Sequence, residues 1–262
     1  MPFLETNGIS LYYEVHGSGP ALLFAHGQGG NHLVWWQQVP FFAQHYTCIT
    51  FDARAFGQSH DIDGKGRSSF GADVIALLQH LGVDDVRVVA HSMGGRVGIA
   101  IALRSSIPCR ALVLSGTNGG AVDDDIRARQ ESAAAARGPA LGPHSVAPEF
   151  KTTQPDLWFL YQAIGRLNPP RPRDFLALPP GFRGSTAERL AACGARILYL
   201  VGEHDFITPP DMIEMCHRIV PGSTYAVIPG SGHSTYFERP DAFNQSVLDF
   251  LRAADATPPS AV

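Results

Sequence analysis

Val88-Val89-Ala90-His91-Ser92-Met93-Gly94-Gly95 is the stretch on which the reading of this chain turns. An apolar run of strand length gives way to a serine, and a helical pattern opens at Met93 and continues to Leu103. Small residues stand two positions either side of the serine, Ala90 before it and Gly94 after it. This is the G-x-S-x-G strand–turn–helix signature with alanine in the first glycine position. Such a turn holds its serine in a strained conformation with the hydroxyl exposed, and the small neighbours let strand and helix approach. The next backbone N–H, that of Met93, then points to where an oxyanion would form, in the favourable field of a helix N-terminus. Ser92 is the candidate nucleophile and Met93 a candidate oxyanion-hole residue.

Working outward, other short apolar runs repeat the pattern of an element ending in a chemically equipped loop. Ala21–Ala25 leads into His26-Gly27-Gln28-Gly29-Gly30, a glycine-rich loop able to offer a second oxyanion N–H, best placed at Gln28. His26 reads as a hydrogen-bonder within that loop rather than a catalyst. Arg196–Val201 leads into Gly202-Glu203-His204-Asp205, where Asp205 is the better candidate for a carboxylate that orients an imidazole and Glu203 the runner-up. Asp211, further on, reads as a helix cap. Thr224–Ile228 leads into Pro229-Gly230-Ser231-Gly232-His233, a glycine-bounded loop suited to presenting His233 as a general base. Ser92, Asp205 and His233 therefore follow one another in chain order, each at the end of a predicted strand.

With Ile9–Val15, Tyr46–Phe51, Val86–Ala90 and Ala111–Leu114, the pattern predicts seven strands. Several are apolar throughout, as strands covered on both faces are, which favours a parallel sheet. Helical stripes over Ser69–Leu81, Asp211–Val220 and Asp241–Ala253, the last with Asp241 as its cap, alternate with them and indicate βαβ units. Residues 118–189 break the rhythm. They hold an Ala-rich helical piece near Arg127–Arg137, an aromatic cluster Trp158-Phe159-Leu160-Tyr161 and a proline-rich run over Asn168–Pro180. An insertion at the carboxyl ends of parallel strands sits where ligands bind, so this segment is read as a helical lid. The domain division is thus a core of 1–117 and 190–254, a lid of 118–189, and a tail of 255–262 expected to be disordered. Trp158, Phe159, Tyr161 and Trp36 are candidate substrate contacts for an apolar or aromatic molecule.

Composition narrows the partners. With 45% hydrophobic residues, 17% charged and a net charge of −4, the 262-residue chain is an ordinary globular protein without a basic field for phosphates. Nucleic-acid and anionic-membrane partners are excluded on that ground, and a small-molecule substrate is expected. Cys48, Cys109, Cys193 and Cys216 form no CxxC, and no HExxH or Cys/His cluster at zinc spacing occurs, so no metal and no cofactor are expected. The opening Met1-Pro2-Phe3-Leu4-Glu5 has no basic region followed by an apolar one, and no apolar stretch has membrane-spanning length, so a cytoplasmic protein is expected. Oligomeric state is not set by these features, and a homodimer stays open.

With these residues in hand, the chain resembles the α/β-hydrolase superfamily, in its lid-bearing group of esterases, lactonases, enol-lactonases and carbon–carbon bond hydrolases. The motifs that carry the resemblance are His26-Gly27-Gln28-Gly29, Asp52-Ala53-Arg54-Ala55-Phe56-Gly57-Gln58-Ser59, Ala90 to Gly95, Gly202 to Asp205 and Gly232-His233. It spans residues of about 8–118 and 190–252, all but lid and tail. The resemblance implies a mostly parallel eight-stranded sheet with an antiparallel second strand, helices on both faces, and a serine hydrolase that cleaves an ester or lactone through an acyl-enzyme. Two departures stand out. Ala55 replaces a glycine, and Phe56 fills a position often held by histidine, which makes Phe56 a candidate to reach the pocket from an otherwise structural loop.

Three alternatives accompany that implication. One is hydrolysis of a carbon–carbon bond. Another is a cofactor-free lyase, because Ser-x-Gly-Gly-Arg, with Arg96, resembles the elbow of the menaquinone-pathway synthase; Arg96 is then a candidate substrate contact, against its plainer reading as an exposed helix residue. The third is a binding protein that uses the triad for perception without turnover.

Overall fold

The computed structural model describes residues 2–171, 175 and 186–256. The seven predicted runs form strands, and two further strands join them. In chain order these are β1 (Phe3–Thr6), β2 (Ile9–His16), β3 (Ala21–Ala25), β4 (Thr47–Phe51), β5 (His60–Asp61), β6 (Val86–His91), β7 (Cys109–Ser115), β8 (Arg196–Gly202) and β9 (Thr224–Ile228). Eight strands lie in the order β1-β2-β4-β3-β6-β7-β8-β9, and the two-residue β5 pairs with β2. β2 runs antiparallel to both neighbours, while β4-β3-β6-β7-β8-β9 are parallel. The two strands added by the structure belong to the β1–β2 edge. Asn7 and Gly8, both at positive φ, make the two-residue turn that folds β1 back onto β2.

The helices are α1 (Val39–Phe42), α2 (Phe70–His80), α3 (Gly95–Arg104), α4 (Asp124–Arg137), α5 (Phe150–Thr153), α6 (Pro155–Arg166), α7 (Ala187–Ala191), α8 (Pro210–Arg218), α9 (Thr235–Glu238) and α10 (Pro240–Asp255). Side chains of one strand alternate between two cores because the strand period is two. Leu23, Val88, Ala90 and Leu112 meet α2, α3 and α8 on one face. Leu22, Phe24, Val89 and Val113 meet Phe42, Phe243, Val247 and Leu251 on the other. Among the described residues, no helix is long and apolar enough to cross a membrane.

Helix ends differ from expectation at three places. Asp211, read as a cap, lies inside the first turn of α8 after Pro210, and no side chain caps that helix. Asp241 lies inside the first turn of α10, after Pro240, and no side chain caps that helix; the carboxylate still faces the positive end of the helix dipole. Asp255, assigned to the tail, closes α10, and its carboxylate binds the Arg87 guanidinium and the Tyr46 hydroxyl. Those bonds tie the helix to the sheet. The remaining tail and most of the proline-rich run fall outside the described residues.

Between β7 and β8 the chain forms α4, α5, α6 and α7. This helical insertion is bolted to the core at several points. The Arg129 guanidinium grips the Asp211 carboxylate of α8 with two hydrogen bonds, of 2.7 and 3.0 Å. Asn168 donates to the Gly30 carbonyl and accepts from the Gly57 N–H, and Arg171 donates to the Ala55 carbonyl while lying 3.8 Å from the centre of the Phe56 ring. The insertion therefore rests on the two glycine-containing loops that follow β3 and β4.

Candidate active site

Ser92 sits between β6 and α3 at φ +50°, a left-handed conformation that costs a serine about 1–3 kcal/mol and must be held by its surroundings. Gly94 supplies one part of that hold. A Cβ there would stand 2.3 Å from the Ala25 carbonyl oxygen, so only glycine lets the turn close against β3. Ala90 is accommodated from the other side. A Cβ built on Gly98 would stand 3.2 Å from the Ala90 methyl, so the missing side chain in α3 makes room for the extra carbon in β6.

Asp205 follows β8 and is almost wholly buried. Its Oδ1 accepts the N–H groups of Ile207 and Thr208, both at 2.8 Å. Its Oδ2 accepts the Thr208 hydroxyl at 2.7 Å and Nδ1–H of His233 at 2.8 Å. Four donors fix the carboxylate. A carboxylate oxygen in this bond accepts, so Nδ1–H of His233 is the donor, and in the neutral imidazole that tautomer leaves the lone pair on Nε2. Glu203, two residues earlier, points outward with its side chain about half exposed, and takes the Gly230 N–H instead. Burial and this hydrogen-bond set separate the two carboxylates that sequence spacing alone left as alternatives.

The loop presenting His233 is braced from beneath. The buried Glu238 carboxylate accepts the Gly232 N–H with both oxygens, each at 3.0 Å, and the Ala147 N–H at 2.7 Å. Burial raises its pKa above the ordinary 4.5, an effect the two amide bonds oppose. The His91 ring lies 4.7 Å from the His233 ring and 4.9 Å from Tyr236. Burial, and then the adjacent His233, hold the His91 pKa well below its ordinary value, so His91 is a neutral wall with Nδ1–H on the Ser115 carbonyl. The same ring closes the space around the serine, since a Cβ on Gly27 would stand 2.7 Å from His91 Cδ2 and 3.3 Å from Ser92 Cβ.

Gln28 occupies the exposed tip of a turn closed by the Gly30 N–H on the Gly27 carbonyl, a bond that leaves its own N–H outside the turn. Met93 lies in the first turn after Ser92, where helix N–H groups have no intrahelical acceptor. His26 is locked within its loop: Nδ1–H donates to the Gly27 carbonyl and Nε2 accepts the Ala53 N–H. Chemically, the arrangement offers an oriented imidazole and a hydroxyl on a strained turn, with backbone N–H groups nearby. Among the described residues, no group of three or more His, Cys, Asp or Glu is arranged to hold a metal ion.

A cavity of about 530 Å³ opens on Ser92 and runs between α2, α3 and α7, with Arg96, Thr117 and Asn118 in its wall. None of Trp158, Phe159, Tyr161 and Trp36 is among its described lining residues. Tyr161 lies on the opposite side, bonded through its hydroxyl to Ser234 beside His233, with Trp158 stacked on it. Phe159 is 64% exposed, and Trp36 is exposed and edges onto Phe237. Phe56, the candidate to reach the pocket, does not; it is fully buried against His26, Phe70 and Phe175 under Arg171. Thr208, Glu238 and His91 were not singled out from sequence. Only Thr208 had a local signal, standing three residues after an aspartate in a position to form a side-chain-closed turn.

Comparison with known proteins bears on the fold and the family. The model of the "Alpha/beta hydrolase family" matches residues 22–246. A Mycobacterium tuberculosis protein with the provisional name non-heme bromoperoxidase BpoC is 30% identical over 95% of this chain and its own full length. The 3-oxoadipate enol-lactonase 2 of Acinetobacter baylyi is 29% identical over 93% of this chain and 94% of its own. Among solved structures, a thermophilic esterase from Thermogutta terrifontis superposes with a TM-score of 0.78 at 26% identity, covering 96% of this chain and 97% of the esterase.

Proposed function

The chain belongs to the alpha/beta hydrolase family, and we propose that it is a serine hydrolase cleaving a carboxylic ester or lactone through an acyl-enzyme. The observation that carries the reading is the 2.8 Å bond from His233 Nδ1 to a buried Asp205 carboxylate, in a site where Ser92 is held at positive φ. The names of its relatives, an enol-lactonase and an esterase, support the same bond type.

In this reading the Ser92 hydroxyl gives its proton to His233 Nε2 as its oxygen attacks the substrate carbonyl carbon. Negative charge moves to the carbonyl oxygen, stabilised by the N–H groups of Met93 and Gln28. The carbon–oxygen bond to the leaving group breaks, and that oxygen takes the proton from His233. Water, deprotonated by His233, then attacks the acyl carbon, and Ser92 recovers its proton as the acid departs. Asp205 keeps the imidazole in the required tautomer and stabilises its charged form. The helical insertion acts as a lid over the site, and of the four aromatic candidates Tyr161 is the one kept for substrate contact, because its hydroxyl bonds Ser234 beside His233.

A p-nitrophenyl ester series of increasing acyl length, run with wild type and Ser92→Ala, tests the proposal. Turnover by wild type that falls by several orders of magnitude in Ser92→Ala is expected. Equal turnover by both would refute it. Turnover of neither simple esters nor lactones would favour carbon–carbon cleavage or elimination.

A further inference from the structure

The insertion between β7 and β8 is joined to both loops that the proposed chemistry uses. On one side it flanks the base. The Ser145 carbonyl accepts the Ser234 N–H at 3.0 Å, and the Glu238 carboxylate that holds the Gly232 N–H also holds the Ala147 N–H. The residues either side of His233 are thus fixed against one short stretch of the insertion. On the other side, the end of α6 meets the Gly27–Gly30 turn. Asn31 is buried, and its Nδ2–H donates to the Ile164 carbonyl at 3.1 Å while its Oδ1 accepts the Leu33 N–H at 3.0 Å. Gly165 is packed so closely that a Cβ there would stand 3.0 Å from the Gly29 carbonyl oxygen.

Asn168 joins these parts through one amide group. Its Nδ2–H donates to the Gly30 carbonyl at 3.2 Å, and its Oδ1 accepts the Gly57 N–H at 2.9 Å and the Asn31 Nδ2–H at 3.4 Å. The turn it touches is short, with Gln28 and Gly29 between its ends. The Gly27 end is held from inside the core: its carbonyl accepts His26 Nδ1–H, and the His91 ring leaves no room for a side chain there. The Gly30 end is held from outside, by the insertion. Fixing both ends fixes the direction of the Gln28 N–H between them, and a donor displaced by about 1 Å can lose about 10² in rate. We propose that Asn168 is a positioning residue through which the insertion aims the Gln28 N–H at the developing oxyanion. The effect on rate rests on the serine hydrolase reading; the hold on the turn does not. The insertion is then a mount for the oxyanion loop as well as a cover.

Asn168→Asp tests this, because it keeps an oxygen for the Gly57 and Asn31 donors but sets a second oxygen against the Gly30 carbonyl. Asn168→Ala removes all three bonds without adding a charge, so an effect of the charge alone would not appear in it. Arg129→Gln is the control, since it loosens the insertion at α8 rather than at either loop. In the first measurement, amide hydrogen exchange of the segment containing Gly27–Asn31 is followed by mass spectrometry, which needs no turnover. Both Asn168 variants should exchange there about tenfold faster than wild type, the scale of one lost hydrogen bond, with Arg129→Gln within about twofold of wild type. In the second, hydrolysis of p-nitrophenyl butyrate is measured. Both Asn168 variants should lose about 10–10²-fold in kcat with KM changed by less than about threefold, because an oxyanion donor acts in the transition state. Arg129→Gln should keep the wild-type kcat. Unchanged exchange in the Asn168 variants would overturn the proposal, as would faster exchange with unchanged kcat, or an equal loss of kcat in Arg129→Gln. A wild type that cleaves no ester, beside faster exchange in both Asn168 variants, would refute the hydrolase reading and leave the hold of Asn168 on the turn standing.

Discussion

Asp205→Asn isolates the contact on which the proposed chemistry depends. The wild-type carboxylate has two unlike sides. Oδ1 accepts two backbone N–H groups, of Ile207 and Thr208, while Oδ2 accepts the Thr208 hydroxyl and His233 Nδ1–H. An asparagine must keep its carbonyl oxygen against the two amides, because an NH₂ group there would face two donors. Its NH₂ group therefore falls on the Oδ2 side. The Thr208 hydroxyl can turn and accept. The imidazole can accept only by moving its proton to Nε2, and that removes the lone pair needed to take the Ser92 proton. The fold keeps three of four contacts, so stability should fall by only about 1 kcal/mol. The rate should fall by about 10³–10⁴ in kcat, or about 4–5.5 kcal/mol of transition-state stabilisation. The assay is p-nitrophenyl butyrate hydrolysis at saturation, with urea unfolding of the same preparations. A folded Asp205→Asn protein within tenfold of wild-type kcat would refute the assignment of Asp205 and of the His233 tautomer. Glu203→Gln, on the exposed carboxylate, should stay within about twofold of wild type.

Other perturbations reach the site through the scaffold. Arg54 is fully buried and binds the carboxylates of Asp61, Asp63 and Asp73 and the Asn7 and Gly8 carbonyls. Arg54→Met strands the buried Asp73, whose pKa burial already raises against the pull of Arg54, and should cost about 3–5 kcal/mol. Differential scanning calorimetry should show Tm lower by roughly 6–20 °C; a shift of a degree or less would mean the cluster is not integral to the fold. Gly202→Ala places a methyl 2.0 Å from the Gly232 carbonyl oxygen, and the His233 loop must move to admit it. A displacement near 1 Å should lower kcat about 10²-fold, so unchanged kcat in a folded variant would contradict the packing described. Glu238 has a folded-state pKa raised above its ordinary 4.5, so the folded protein holds that proton to higher pH than the unfolded chain does. Wild-type stability relative to Glu238→Gln should therefore decline as pH rises from about 4.5 through the raised pKa, then level off. Urea titrations from pH 4.5 to 8 would show a flat difference if Glu238 were not ionised from a buried state.

Local pattern was enough for much of the fold. The alternation of apolar runs with helical stripes located seven strands and four core helices within a few residues, because side-chain period and strand length are properties of the chain itself. β1 was overlooked although its signal was present in Asn7-Gly8, a dipeptide whose tolerance of positive φ favours a two-residue hairpin turn. At the site, the order Ser92, Asp205, His233 and the small residues around Ser92 were legible, since the elbow imposes them over eight consecutive positions. Asp205 was also preferred there over Glu203, but the physical reason for the preference was not visible. Both carboxylates follow β8, and only the packing of the Gly230–His233 loop over the end of that strand buries one and turns the other to solvent.

What the sequence by itself determined was therefore the βαβ frame, the nucleophile elbow and the chain order of the three candidate catalytic residues. All follow from contacts within a dozen residues. Tertiary structure alone decided that Phe56 is buried under Arg171, that Glu238 braces the His233 loop, and that Arg67, Arg96, Arg104 and Arg189 share one cavity with Ser92. Those four arginines lie up to 122 positions apart (67 to 189). No periodicity connects them, and their proximity exists only because α2, α3 and α7 pack on the same side of the sheet.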